Sequence, residues 1–97
     1  MEALIQTVPW WVYVLRCSDN SLYCGITTDL ERRLGQHNAG TGARYTRGRG
    51  PVKLLYSSMV AAKEVALREE CAFKALSRKK KIARLKELSP AGLPGLL

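Results

Sequence analysis

Between Trp10 and Cys17 the chain reads WWVYVLRC, a run rich in aromatic and β-branched residues that ends in the turn-forming Ser18-Asp19-Asn20-Ser21. Leu22 to Thr27 then returns, so the pattern predicts a β-hairpin. One face carries Val12, Val14, Leu22, Cys24 and Ile26, with Arg16 as the exception near the turn. The other carries Tyr13, Leu15, Cys17, Tyr23, Gly25 and Thr27. Keeping each set on one face requires paired positions to sum to an even number, as when 17 faces 23 and 13 faces 27 across a loop of about three residues. Tyr13 and Tyr23 then share a face. Thr28-Asp29-Leu30-Glu31 has the spacing of a capping box, so a helix is expected from Asp29 to about Asn38, ended by Ala39-Gly40, with Leu30 and Leu34 as its apolar stripe.

Thr41 to Pro51, TGARYTRGRGP, is Gly-rich and basic and reads as a loop. Val52 to Ser57 suits a third strand beside the hairpin, and a helix is expected from about Val60 to Leu76. Placed 100° apart, Ala62, Val65, Ala66, Ala72, Phe73 and Leu76 form its core-facing stripe. Glu69 falls near the centre of that stripe and Glu70 near its edge, toward Lys74. A carboxylate held there needs a cation, a metal or hydrogen bonds, because an unpaired buried charge costs several kcal/mol. Ser77 to Leu88 reads as a short basic helix with Ser77 as N-cap and Ile82 and Leu85 packing inward. From Ser89, SPAGLPGLL is a Pro and Gly breaker followed by a loose tail. The fold class is therefore α+β, with a domain over 10–88, an N-terminal extension over 1–9 and a flexible tail over 89–97.

Length and composition agree with this reading: 97 residues hold one small core, and 46% apolar with 25% charged residues exclude a disordered or fibrous chain. No apolar run approaches the roughly 20 residues of a membrane span, and Met1 to Val8 carries Glu2 and no Lys or Arg, unlike a signal peptide. A cytoplasmic location is expected. The net charge of +8 changes the picture more, because residues 1–26 hold Arg16 against Glu2 and Asp19, a net of −1, and the whole excess lies beyond them. A localised basic surface points to an anionic partner such as nucleic acid. Cys17, Cys24 and Cys71 have no C-x-x-C spacing, and the single His37 completes no usual zinc site with them, so they read as reduced structural thiols.

Tyr13, Tyr23, Arg33, His37 and Glu70 form the constellation with chemical content. Singly, each has a plainer reading: half-buried sheet aromatics for the tyrosines, a solvated charge for Arg33, a residue favoured by the helix dipole for His37, and an i,i+4 partner of Lys74 for Glu70. Jointly they resemble the GIY-YIG nuclease superfamily: W-V-Y, then Y-C-G ten residues on, then D-L-E-R-R-L-x-x-H-N and a later Glu. The similarity covers Trp10 to about Leu88, and YCGITTDLERRLGQHNAGTGARY, from Tyr23 to Tyr45, is similar to the small stand-alone bacterial members. The first motif has Trp11 where the family pattern has Gly, and no Asn follows Asn38.

The resemblance implies a small three-stranded antiparallel sheet flanked by helices and an endonuclease acting on DNA by structure rather than sequence, with a place in DNA repair. It implies catalytic roles for Tyr13, Tyr23, Arg33, His37 and Glu70, with Gly25 as the site glycine and Glu70 as the ligand of one divalent ion, Mg²⁺ or Mn²⁺. Phosphodiester hydrolysis needs a base for water, cationic stabilisation of the developing charge and neutralisation of the leaving oxygen, which these residue types can supply. Arg33 suits a fork onto the phosphate. Tyr13 is taken as the base and Tyr23 as the residue positioning phosphate or water, an order that the sequence leaves open. Branched, flapped or duplex DNA is then gripped by Arg44, Arg47, Arg49, Lys74, Arg78, Lys79, Lys80 and Lys81, by a monomer with no membrane partner. Two other classes compete: a catalytically weak nucleic-acid-binding module, and a basic accessory protein of RNA or the ribosome.

Overall fold

A computed structural model describes residues 8–89. The chain runs β1 (Trp10–Arg16), β2 (Leu22–Thr27), α1 (Leu30–Asn38), β3 (Lys53–Val60), α2 (Lys63–Lys74) and α3 (Arg78–Leu88), with a 3₁₀ turn at Arg44–Thr46. The strands form one antiparallel sheet in the order β2-β1-β3, flanked by the helices, as expected for the α+β class. Central placement explains why Val12 to Leu15 are all buried: β1 has a strand on either side and cover on both faces. The proposed 1–9 extension and 89–97 tail fall almost wholly outside the described residues.

The hairpin has the expected parity in a different register. Tyr13 faces Gly25 and Leu15 faces Tyr23, so the expected pairs 17 with 23 and 13 with 27 are each displaced by two. The cause is the turn. Cys17 N donates to Ser21 O and Asn20 N to Cys17 O, both at 2.9 Å, closing a loop of three residues in which Asn20 takes φ 70°. A two-residue shift leaves every side chain on its face, so Val12, Val14 and Cys24 still share one core cluster and Tyr13, Leu15 and Cys17 the other.

Asp29 caps α1, its side chain accepting from Arg32 N at 3.1 Å, so the cap lies one residue beyond the Thr28 of the expected capping box. The helix closes as expected at Ala39-Gly40. Gly40 N donates to His37 O and Thr41 N to Gln36 O, the paired bonds of a Schellman ending, with Gly40 at φ 79°.

β3 extends to Val60, and α2 begins only at Lys63, because Trp10 pairs with Val60 and draws those residues into the sheet. On α2, Ala66 is fully buried, while Glu69 and Ala72 line an open cavity with Val12, Val14 and Cys24, so they face the sheet as the stripe predicts but are exposed rather than sealed in the core. Ala66 and Phe73 of α2 pack into the apolar core on the sheet, Val65 and Leu76 are half-buried, and so is Glu70. Ser77 caps α3 as expected, and Leu85 is its buried anchor, with Ile82 half-buried. Cys17 and Cys24 are buried free thiols; Cys71 is exposed and has no core role.

Candidate active site

The face of the sheet that carries Tyr13 is built around a buried chain of hydrogen bonds. Tyr13 comes from β1, His37 from the last turn of α1 and Thr46 from the 3₁₀ turn, and each is at most 1% exposed. Tyr13 Oη lies 2.8 Å from His37 Nε2, His37 Nδ1 lies 2.7 Å from Thr46 Oγ1, and Thr46 Oγ1 lies 3.0 Å from the Ala43 carbonyl. One arrangement of protons satisfies all three contacts: Thr46 donates to Ala43, His37 Nδ1–H donates to Thr46, and Tyr13 donates to the free Nε2 lone pair.

The electrostatics agree with that assignment. Burial, helped by the neighbouring Arg33 charge, lowers the His37 pKa below its ordinary 6.5 and keeps the ring neutral. This is the opposite of a histidinium held by the helix dipole. Burial likewise pushes the Tyr13 phenol up to about 12, with a hydrogen bond from Arg33 as the main opposing influence.

Two glycines make the packing feasible. A Cβ at Gly25 would stand 2.5 Å from Tyr13 Oη and 2.9 Å from Tyr23 Cε2, and one at Gly42 would stand 2.6 Å from His37 Nδ1. Real Cβ atoms do not approach so closely, so side chains at these two positions would displace the phenols and the imidazole. The site-glycine role assigned to Gly25 thus acquires a steric reason.

Tyr23, on the edge strand β2, is half-buried and stands over this chain. Its ring centre is 6.3 Å from that of Tyr13, 5.3 Å from that of His37 and 5.8 Å from that of Tyr45, with which it stacks at 26°. Lys74 Nζ lies 5.7 Å from the same ring and 3.3 Å from Glu70 Oε2. Arg33 Nη1 donates to Gln36 at 2.9 Å, and Arg33 also lines a trough of about 360 Å³ with Trp10, Ile26, Thr27, Arg32 and Gln36. The structure therefore gathers Tyr13, Tyr23, Arg33 and His37 into one cluster, with Glu70 joined to it through Lys74.

Tyr13 shares a face with Tyr23 as expected and meets Arg33 through a hydrogen bond, but it is fully buried. Arg49 is engaged within the chain: Nη1 lies 2.6 Å from Asp19 Oδ2, and the guanidinium sits 4.5 Å from the centre of the Tyr45 ring. Lys74 is engaged with Glu70 and Tyr23. Arg44, Arg47, Arg78, Lys79 and Lys80 are exposed, whereas Lys81 is half-buried with Nζ 5.9 Å from the Phe73 ring.

Sequence reasoning missed Tyr45 and Thr46. An aromatic interleaved with arginines in RYTRGR is a usable signal for Tyr45. Thr46 lies nine residues beyond its partner, with no periodic relation to it.

For a metal, no group of three or more His, Cys, Asp or Glu side chains among the described residues could form a complete cage. Glu70 alone, its side chain 19% exposed, fits a hard divalent ion that keeps most of its water and binds through one carboxylate plus substrate phosphate. Among the described residues no helix is long and apolar enough to cross a membrane.

Comparison with known proteins gives a concordant result. Residues 9–83 match the family model described as the GIY-YIG catalytic domain. A UPF0213 protein of Streptococcus agalactiae is 52% identical over 80 residues, covering 82% of this chain and 91% of that one. A UPF0213 protein of Vibrio cholerae is 53% identical over 85 residues, covering 86% and 84%. Among solved structures, the solution NMR structure of a UPF0213 protein from Bacillus halodurans is 47% identical with a TM-score of 0.55, over 84% of this chain and 85% of that one. A second NMR structure, of a protein from E. faecalis, is 44% identical with a TM-score of 0.59, over 82% and 85%.

Proposed function

The chain belongs to the GIY-YIG family, and we propose that it is a metal-dependent endonuclease that hydrolyses DNA phosphodiester bonds, choosing its target by nucleic-acid structure rather than sequence. GIY-YIG nucleases generally depend on divalent metal and act on DNA. The observation that carries the reading is the half-buried Tyr23, set between the Tyr13–His37–Thr46 chain and the Glu70–Lys74 pair.

Of the two tyrosines, Tyr23 is better suited to meet an attacking water. The Tyr13 proton is engaged by His37 Nε2, its phenol is pushed up to about 12, and it is sealed from solvent. In the proposed step Tyr23 acts as general base toward a water, whose oxygen bonds to phosphorus while the opposite P–O bond breaks. Arg33 holds the non-bridging oxygens through its fork. Tyr13 and His37 keep the floor of the site rigid and dry. Glu70 would hold a divalent ion, which when bound would neutralise the leaving oxygen. Arg44, Arg47, Arg78, Lys79 and Lys80, all exposed, carry the electrostatic grip on the backbone.

The test is incubation with labelled branched, flapped, single-stranded and duplex DNA in Mg²⁺, Mn²⁺ or EDTA. Cleavage with metal and none in EDTA is expected, and Glu70→Gln should abolish it while DNA binding persists. Binding by the unmutated protein without cleavage of any substrate in either metal would replace this reading with that of a binding module. A mutant Glu70→Gln that cuts at the full rate would remove the metal from that carboxylate.

A further inference from the structure

The loop between Gly42 and Gly50 carries three arginines, and charge alone assigns all of them to phosphate binding. Two of its residues are otherwise engaged. Arg49 is tied to the hairpin turn by its ion pair with Asp19 at 2.6 Å and by its carbonyl, which accepts from Ser18 N at 2.8 Å. Its guanidinium also lies over the Tyr45 ring, which stacks in turn on Tyr23. Tyr45 thus contacts both the Arg49 guanidinium and the Tyr23 ring, while part of its surface stays open to solvent. The result is a continuous ladder from Asp19 through Arg49, Tyr45 and Tyr23 to Lys74 and Glu70.

Tyr23 needs such a support. It lies on an edge strand, with only β1 beside it, and the buried chain below holds the Tyr13 hydroxyl rather than its own. Asp19 belongs to the same hairpin as Tyr23, so the Arg49 tether fixes the loop to the element that carries the phenol. We propose that Tyr45 and Arg49 are positioning residues that hold the Tyr23 ring at its reactive angle, and that Arg49 contributes to turnover rather than to the grip on nucleic acid. This rests on the reading of Tyr23 as base. An aromatic wall suits the task because it confines a ring by area and restricts its rotation without competing for the hydroxyl.

The experiment compares the unmutated protein with Tyr45→Leu, Tyr45→Phe and Arg49→Ala. Cleavage of a labelled flapped oligonucleotide is measured in Mn²⁺, binding of the same oligonucleotide is measured in EDTA over a range of salt, and the Tyr23 ring resonances are followed by NMR. Tyr45→Leu and Arg49→Ala should each lower kcat by about tenfold or more, with KM changed less than about twofold, since small misplacements of a reacting group are costly. Tyr45→Phe, which keeps the ring, should recover most of the rate. The salt slope of Arg49→Ala should equal that of the unmutated protein. A slope reduced by about 0.9 with kcat unchanged would make Arg49 an ordinary phosphate ligand and overturn the proposal.

The NMR readout separates the two readings. If the unmutated protein cuts nothing, the base reading fails. The positioning claim is then decided by the Tyr23 ring: altered resonances in Tyr45→Leu and Arg49→Ala support it, and unaltered ones overturn it. A thermal melt of each variant establishes that the comparison is made on folded protein.

Discussion

The two faces of the sheet are built from alternate residues of the same strands and are held together in different ways. On one face Val12, Val14 and Cys24 meet Ala66 of α2 and Leu85 of α3, with Leu55, Tyr56, Val60 and Phe73 around them. These contacts are non-directional, and a cavity of about 430 Å³ remains between the sheet and the two helices, rimmed by Ser58, Glu69 and Arg84. On the other face Tyr13, Leu15, Cys17 and Val52 lie beneath Leu30 and Leu34, with His37 and Thr46 threaded through the layer. There a buried polar atom must meet its partner at a definite distance or carry the full cost of desolvation. The apolar face tolerates imperfect filling, whereas the polar face depends on individual atoms. The candidate site lies on the face where precision is already required for folding.

The sharpest way to break this contrast is to delete a single oxygen from the polar face. Tyr23→Phe should lower kcat by about 10² to 10⁴ while leaving the fold intact, the usual range for a general base. Tyr13→Phe should cost less in rate. The reverse order, measured in single-turnover cleavage, would return the role of base to Tyr13.

On the apolar face, Leu85→Ala should destabilise the protein by about 2–5 kcal/mol in urea unfolding, since Leu85 is completely buried. The rate per folded molecule should stay the same. A Leu85→Ala protein of unchanged stability would show that α3 is not part of the core.

Removing the middle of the polar chain gives a smaller effect of another kind. Thr46→Val keeps shape but leaves the His37 Nδ1–H without its acceptor, at a cost of about 1–3 kcal/mol. Unchanged urea unfolding in Thr46→Val would contradict the proton assignment.

Acid titration distinguishes the faces more gently. His37 has an ordinary pKa of 6.5 that folding lowers, so above that pH both folded and unfolded chains carry it neutral and it contributes no slope. As pH falls below 6.5 the unfolded chain binds the proton first, and stability should decline until the folded pKa is passed. His37→Gln should lose this part of the decline. Tyr13, raised to about 12 from 10.0, works in the other direction: stability should fall as pH rises above 10, where only the unfolded phenol ionises. Melting temperatures of the unmutated protein, His37→Gln and Tyr13→Phe over pH 4 to 11 provide the check.

The smallest expected effect is at Glu69. It is exposed, so Glu69→Gln should change stability by less than about 0.5 kcal/mol. A large loss would place it in the sealed core.

Much of the fold was legible because it is written in local patterns. Alternation along WWVYVLRC assigned Tyr13 and Val14 to opposite faces, and that assignment survived a register displaced by two because side chains repeat every two residues. Ser77 and the Gly40 ending were legible as caps because the bonds they make reach only a few residues along the chain. The start of α2, at Lys63 rather than near Val60, is not legible locally for the opposite reason. Residues up to Val60 are claimed by pairing with β1, which no property of that segment alone announces.

The candidate site divides in the same way. The sequence by itself determined that Tyr13 and Tyr23 share a face, that Arg33 and His37 follow on a helix one turn apart, and that a carboxylate lies on the later helix, because each depends on a short, regular spacing. Only the tertiary structure decided that Tyr13 is sealed while Tyr23 is partly open, that Thr46 completes the His37 contacts, and that Arg49 meets Asp19 and Tyr45. It also decided that Glu69 is exposed although it lies on the stripe, because a helical wheel ranks positions around an axis but does not say whether the space they face is filled. The Thr46–His37 and Arg49–Asp19 contacts join residues nine and thirty apart through an irregular loop, whose path is set by what it packs against rather than by any repeat in its own sequence.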